Sequence, residues 1–109
     1  MRRLWFPLLL LVLLECTATA GQIYGSLREN GRGVGGVRIE IARQGQAPIP
    51  AATGPDGGYN VAVPGSGRCV LRVYYKNAVA MAEVSSYADP VKYDFDLVFQ
   101  NGGYTLQRK

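Results

Sequence analysis

Beyond its first twenty residues the chain alternates apolar and polar positions in short runs broken by glycine, proline and asparagine. A period of two is the mark of strands with one face buried. Ile23 and Leu27 alternate with Tyr24, Ser26 and Arg28, which predicts a first strand over 22–28 with Ile23 and Leu27 inward. Val37, Ile39 and Ile41 stand against Arg38, Glu40 and Ala42, and Tyr59, Val61 and Val63 against Asn60 and Ala62. Cys69, Leu71, Val73 and Tyr75 share one face of a further strand, while Arg68 and Arg72 mark the face of Val70 and Tyr74 as wet. Over 78–84 the faces are Ala78, Ala80, Ala82 and Val84 against Val79, Met81 and Glu83, and the pattern leaves either one inward. Tyr93, Phe95, Leu97 and Phe99 against Lys92, Asp94, Asp96 and Val98 is the strongest such signal, and Tyr104 and Leu106 predict a short last strand.

The punctuation between these runs is turn chemistry. Thr53 to Gly67 holds a complete turn, strand and turn: Pro55 presets φ, Asp56 can bond its own backbone, and Gly57 and Gly58 accept φ > 0. Glu29 to Gly36 has four glycines and an asparagine and reads as a loop. Its G-R-G-V-G-G partly matches a dinucleotide fingerprint, but that chemistry needs a helix N-terminus behind the glycines and a strand follows here. Gln44 to Pro50, with two prolines, is a loop or an edge strand, and Ser85 to Pro90 a loop. Lys76-Asn77 and Asn101-Gly102-Gly103 are hairpin turns. With no helical period after residue 20, the expected fold is all-β, an antiparallel seven- to eight-stranded β-sandwich.

The opening twenty residues change the setting. Arg2 and Arg3, the apolar run Leu4 to Leu14 and the small residues Ala18-Thr19-Ala20 read as a secretory leader, and the apolar run is too short to span a bilayer. This divides the chain into a signal peptide over 1–20 and one domain over 21–109, exported to the periplasm or beyond. Lipoprotein anchoring through Cys16 is the minor alternative, opposed by Glu15 immediately before it. Removing the leader takes away Arg2, Arg3 and Glu15, so 10 Lys/Arg face 7 Asp/Glu and the net charge is +3. These charges are scattered, which disfavours a phosphate-tracking stripe and hence nucleic acid. Cys69 is then the only thiol, so no intramolecular disulfide can form. With no histidine in the chain to deprotonate it, Cys69 is expected to be a small core filler.

The order of G-G-V-R-I-E-I, Thr53, P-D-G-G-Y-N-V-A-V and P-G-S-G-R-C-V-L-R-V resembles the carboxypeptidase regulatory-like domain, a transthyretin-like (prealbumin-like) sandwich. Thr53, Asp56, Gly58, Tyr59, Pro64 and Gly67 fill its threonine, D-x-G-x-Y and P-x-G positions, across about Ile23 to Tyr75. The usual proline is missing from Gly31 to Gly36, and Cys69 stands where an aromatic commonly follows the P-x-G turn. The resemblance implies an accessory module without an active site. A transthyretin-like relative that hydrolyses 5-hydroxyisourate uses histidines, an arginine and a terminal Y-R-G-S, whereas this chain has no histidine and ends Y-T-L-Q-R-K.

The expected function is a non-catalytic accessory or binding module of the bacterial envelope, with an envelope protein or a glycan as partner and no cofactor. Tyr24, Tyr74 and Tyr87 are the aromatics that parity places outward or in loops, and they are the candidate partner-binding residues. Asp94 and Asp96 on one face, with Asp56 and Asp89 in loops, make a weak calcium site conceivable, although such aspartates are more often solubilising. Pro48 and Pro50 guard one sheet edge against self-association.

Overall fold

The computed structural model describes residues 20–109, so the leader expected over 1–20 and the alternative at Cys16 lie outside the described residues except for Ala20, which opens the first strand. The strands are β1 (Ala20–Glu29), β2 (Arg32–Gly33), β3 (Arg38–Ala42), β4 (Ile49–Ala52), β5 (Gly58–Pro64), β6 (Gly67–Tyr75), β7 (Ala78–Ser86), β8 (Val91–Lys92), β9 (Phe95–Gln100) and β10 (Gly103–Arg108). Eight have four residues or more, as the turn spacing predicts, and β2 and β8 are two-residue bridges. They form two sheets: β4-β3-β6-β7, and a larger one in which β1 is central, flanked by β9 and β10 on one side and β2 on the other, with β5 and β8 also paired to β1.

One departure concerns direction. β1 runs antiparallel to β5 and β2 but parallel to β8 and β9. The chain reaches β8 from the other sheet across residues 87–90, so no hairpin forces an antiparallel entry. The crossing is tight, because a Cβ on Gly25 would collide with the carbonyl oxygen of Tyr93.

The inward positions are those the alternation predicts. Ile23, Leu27, Val37, Ile39, Ile41, Val61, Val63, Cys69, Leu71 and Val73 are all buried between the sheets, each large aliphatic contributing roughly 1.5–3 kcal/mol. The open choice on β7 resolves with Ala80 and Val84 inward and Val79 and Met81 outward. Small residues suit this face because β10 packs closely against β7. Phe99 departs from its run: it is 64% exposed, at the end of β9, with its ring edge-on to Tyr104 at 5.2 Å. Ser85 and Ser86 belong to β7 and not to the following loop, since Ser86 is fully buried and its hydroxyl donates to the Gly65 carbonyl at 2.7 Å. Of the proline-containing segment, 44–48 is turn and loop and only Ile49 and Pro50 enter a strand, the edge strand β4, the kind of position where a proline is tolerated. Both hairpin turns carry positive φ at two successive residues, Lys76-Asn77 and Asn101-Gly102, the backbone that matches strand twist.

Candidate functional site

The outer face of the four-stranded sheet is built by parity. Outward side chains on β3, β6 and β7 stand in rows across the ladder: Arg38, Tyr74 and Val79 in one, Glu40, Arg72 and Met81 in the next. Glu40 sits in the solvent-side layer, yet the residue is only 9% exposed. Its Oε1 accepts from the Tyr74 hydroxyl at 2.7 Å and from Arg72 at 3.3 Å, and its Oε2 from Arg38 at 3.1 Å. The Arg38 guanidinium also covers the Tyr74 ring, 4.7 Å from its centre. The Tyr74 hydrogen bond, helped by both arginines and opposed by burial, holds the Glu40 carboxyl below its usual range. This carboxylate stays ionised and committed to three partners, which suits it to fixing side chains and not to proton transfer. Beside it Val79 is 47% and Met81 59% exposed, a pair of apolar side chains with no cover.

The outer face of the larger sheet is more polar. Tyr24, 38% exposed, lies between Asn60 of β5 and Lys92 of β8 in the ladder register. One step along β1, the Ser26 amide and hydroxyl both donate to Asp94 Oδ1, at 2.9 and 3.0 Å. Burial pushes the Asp94 carboxyl up, but the Ser26 hydroxyl, the charge of Lys92 and the Ser26 amide outweigh it and leave the group below its ordinary value. Asp56 Oδ1 accepts from the Gly58 amide at 3.1 Å in the expected turn. Among the described residues no three Asp, Glu, Cys or His side chains gather as a metal set.

The three tyrosines singled out in the sequence therefore do not share a face. Tyr24 and Tyr74 lie on the outer faces of opposite sheets, with the Tyr74 hydroxyl already engaged. Tyr87 is 52% exposed at the end of β7, where its backbone packs on Gly21 of β1. Parity alone missed Glu40, Val79 and Met81. The available signal was two large apolar residues alternating with alanines on β7, opposite Tyr74 and Arg72 of β6. Cys69 is buried and free, and burial pushes its thiol up against the lowering charge of Arg43.

No protein-family profile matches the sequence, and no curated protein does. Solved structures share the fold. A DUF3823 family protein from Parabacteroides merdae superposes with a TM-score of 0.59 at 15% identity, over 77% of this chain and 50% of that one. The 5-hydroxyisourate hydrolase of Klebsiella pneumoniae superposes with a TM-score of 0.55 at 17% identity, over 82% and 93% of the two chains. A candidate cell adhesion protein from Bacteroides ovatus gives 0.51 at 9% identity, over 84% and 44%. The chain thus spans half the length of the first of these and less of the third. At these identities the likeness is one of fold, a transthyretin-like β-sandwich.

Proposed function

We propose that the chain is an exported, non-catalytic β-sandwich module that docks a protein partner in the cell envelope or outside the cell, as carboxypeptidase regulatory-like domains do beside their neighbours. The observation that carries this is the juxtaposition of exposed Val79 and Met81 with a guanidinium–tyrosine cluster fixed by Glu40. Apolar anchors ringed by ordered arginines and tyrosine are what an interface core requires, and uncovered they oppose solubility. Two further points support the reading. The chain has no histidine for the hydrolase chemistry of its Klebsiella structural neighbour. The Bacteroides neighbour, a candidate adhesion protein about twice this chain's extent, fits an envelope setting for a module of this size.

The test is retention of partners from an envelope extract by the immobilised domain, alongside a V79D/M81D double variant. A partner held by the parent and lost from the folded variant supports the proposal. The same set of proteins on both columns would sink it, as would turnover of 5-hydroxyisourate by the purified chain.

A further inference from the structure

A depression on the outer face of the larger sheet has a different chemistry. Gly58 and Ser26, paired across β5 and β1, place no bulk above the sheet. The space of about 350 Å³ over them is bounded by Tyr24, Arg28, Asp56, Lys92 and Asp94. That volume is at the lower end of the roughly 300–1,000 Å³ of small-molecule sites. Two cations and two carboxylates sum to zero charge, so neither an anion nor a cation is favoured there.

Three of the four charged groups, Asp94, Lys92 and Asp56, are also held in place. Asp94 Oδ1 is fixed by both donors of Ser26, and Lys92 lies 3.7 Å from Asp94 Oδ2. Asp56 is fixed through Oδ1 by the Gly58 amide, leaving Oδ2 without a protein partner among the described residues. Arg28 makes no ion pair among the described residues. The cleft therefore offers free donors from Arg28, a free acceptor from Asp56 and one exposed aromatic ring at its end. The fixed groups cost little to order on binding, whereas the Arg28 side chain is ordered by the ligand itself.

From this geometry we infer that the Tyr24 cleft is a subsite for a neutral glycan, with the Tyr24 ring against the apolar C–H face of one sugar and Arg28 and Asp56 on its hydroxyls. A sugar hydroxyl both donates and accepts, which matches a lining of balanced charge, and a pyranose ring has an apolar face for the aromatic. The inference rests on reading the chain as a binding module without catalysis. It uses a face separate from Val79 and Met81.

The experiment is an amide-resolved NMR titration of the domain with neutral β-1,4 hexaoses of glucose, xylose and mannose, with hexagalacturonate as the anionic control. At least one neutral hexaose is expected to shift Tyr24, Ser26, Gly58 and Lys92 saturably in the millimolar range or tighter. Tyr24→Ala should weaken that binding by roughly tenfold, Arg28→Ala several-fold, and Tyr74→Ala not at all. The cleft assignment is overturned if no neutral hexaose shifts these amides up to about 10 mM, if only hexagalacturonate does, or if Tyr24→Ala and Arg28→Ala both bind as the parent does. Should the glycan fail while V79D/M81D still loses a protein partner, this inference alone falls. Cleavage of a hexaose would remove the non-catalytic reading and the inference together.

Discussion

The hydroxyl of Tyr59 donates to the main-chain carbonyl of Tyr93 at 2.6 Å, reaching across β1 at Gly25, where β1 has no side chain. Tyr59 pairs in register with Gly25, and a Cβ on Gly25 would strike that same carbonyl. Burial, with the nearby Asp94 and Tyr93 adding to it, pushes the Tyr59 phenol above its usual range, so the donor proton is retained. One hydrogen bond thus ties β5 to the segment between β8 and β9. Tyr59→Phe keeps the ring and strips the buried carbonyl of its donor, for an expected loss of about 1–2 kcal/mol in urea melts. Gly25→Ala forces the crossing apart and is expected to lose more than Tyr59→Phe in the same melts.

Thr53 closes a second join. Its hydroxyl accepts from the Val37 amide at 3.0 Å and donates to the Val34 carbonyl at 2.6 Å, while its own backbone bonds Gly36 and Val37. Thr53→Val preserves shape and leaves a buried amide short, which predicts about 1–3 kcal/mol of lost stability. Thr53→Ser should recover most of it. Hydrogen exchange at the Val37 amide distinguishes the two variants, since it should quicken only in Thr53→Val.

The joins explain how far sequence alone reaches. The inward faces of β1, β3, β5 and β6 follow from period-two alternation because each strand buries one face of a two-layer fold. Asp56 and Gly58 are legible because turn chemistry is local, and the structure gives them the turn that chemistry predicts, whereas Thr53 stands out only as a motif residue and its bonds to Val34 and Val37 are long-range. The parallel placement of β8 and β9 is not local. It depends on Gly25 admitting the Tyr93 carbonyl from a residue 68 positions away, and no pattern within either segment reports that.

The candidate site was legible only in part, for a related reason. Parity placed Tyr24 and Tyr74 outward correctly, but parity does not say which sheet a strand joins, and the two tyrosines fall on opposite faces. Glu40 reads as one more solvated charge until β6 lies beside β3 and brings Arg72 and Tyr74 onto it. On β7 the alternation leaves either face inward, and the choice is made only in the fold, where β10 packs close to the strand and Ala80 and Val84 turn inward.

Cys69 tests the core directly. Burial disfavours its thiolate, and the thiolate is the reacting species. Modification by a charged disulfide reagent under native conditions should therefore proceed through opening of the domain, at least about a thousandfold slower than for a free thiol. Labelling should become immediate in denaturant. Rapid labelling of the native protein would mean that the β6–β7 end of the sandwich is open in solution.

Acid should weaken the domain through two carboxylates. Glu40 and Asp94 both sit below their ordinary values of 4.5 and 3.8 in the folded chain. A depressed folded value means that the unfolded chain binds more protons in the interval, so the contribution is complete above the unfolded value and is lost as pH falls through the folded one. Urea midpoints are expected to hold steady between about pH 7 and 5.5 and to decline below about 4.5. Glu40→Gln should lower the midpoint at neutral pH and make the acid decline shallower, because the group that titrates is gone while its arginines remain. Raising salt should recover part of the neutral-pH loss by screening Arg38 and Arg72, now left facing one another without their carboxylate. An acid limb identical in parent and Glu40→Gln would show that the Tyr74–Glu40 bond does not couple this face to folding.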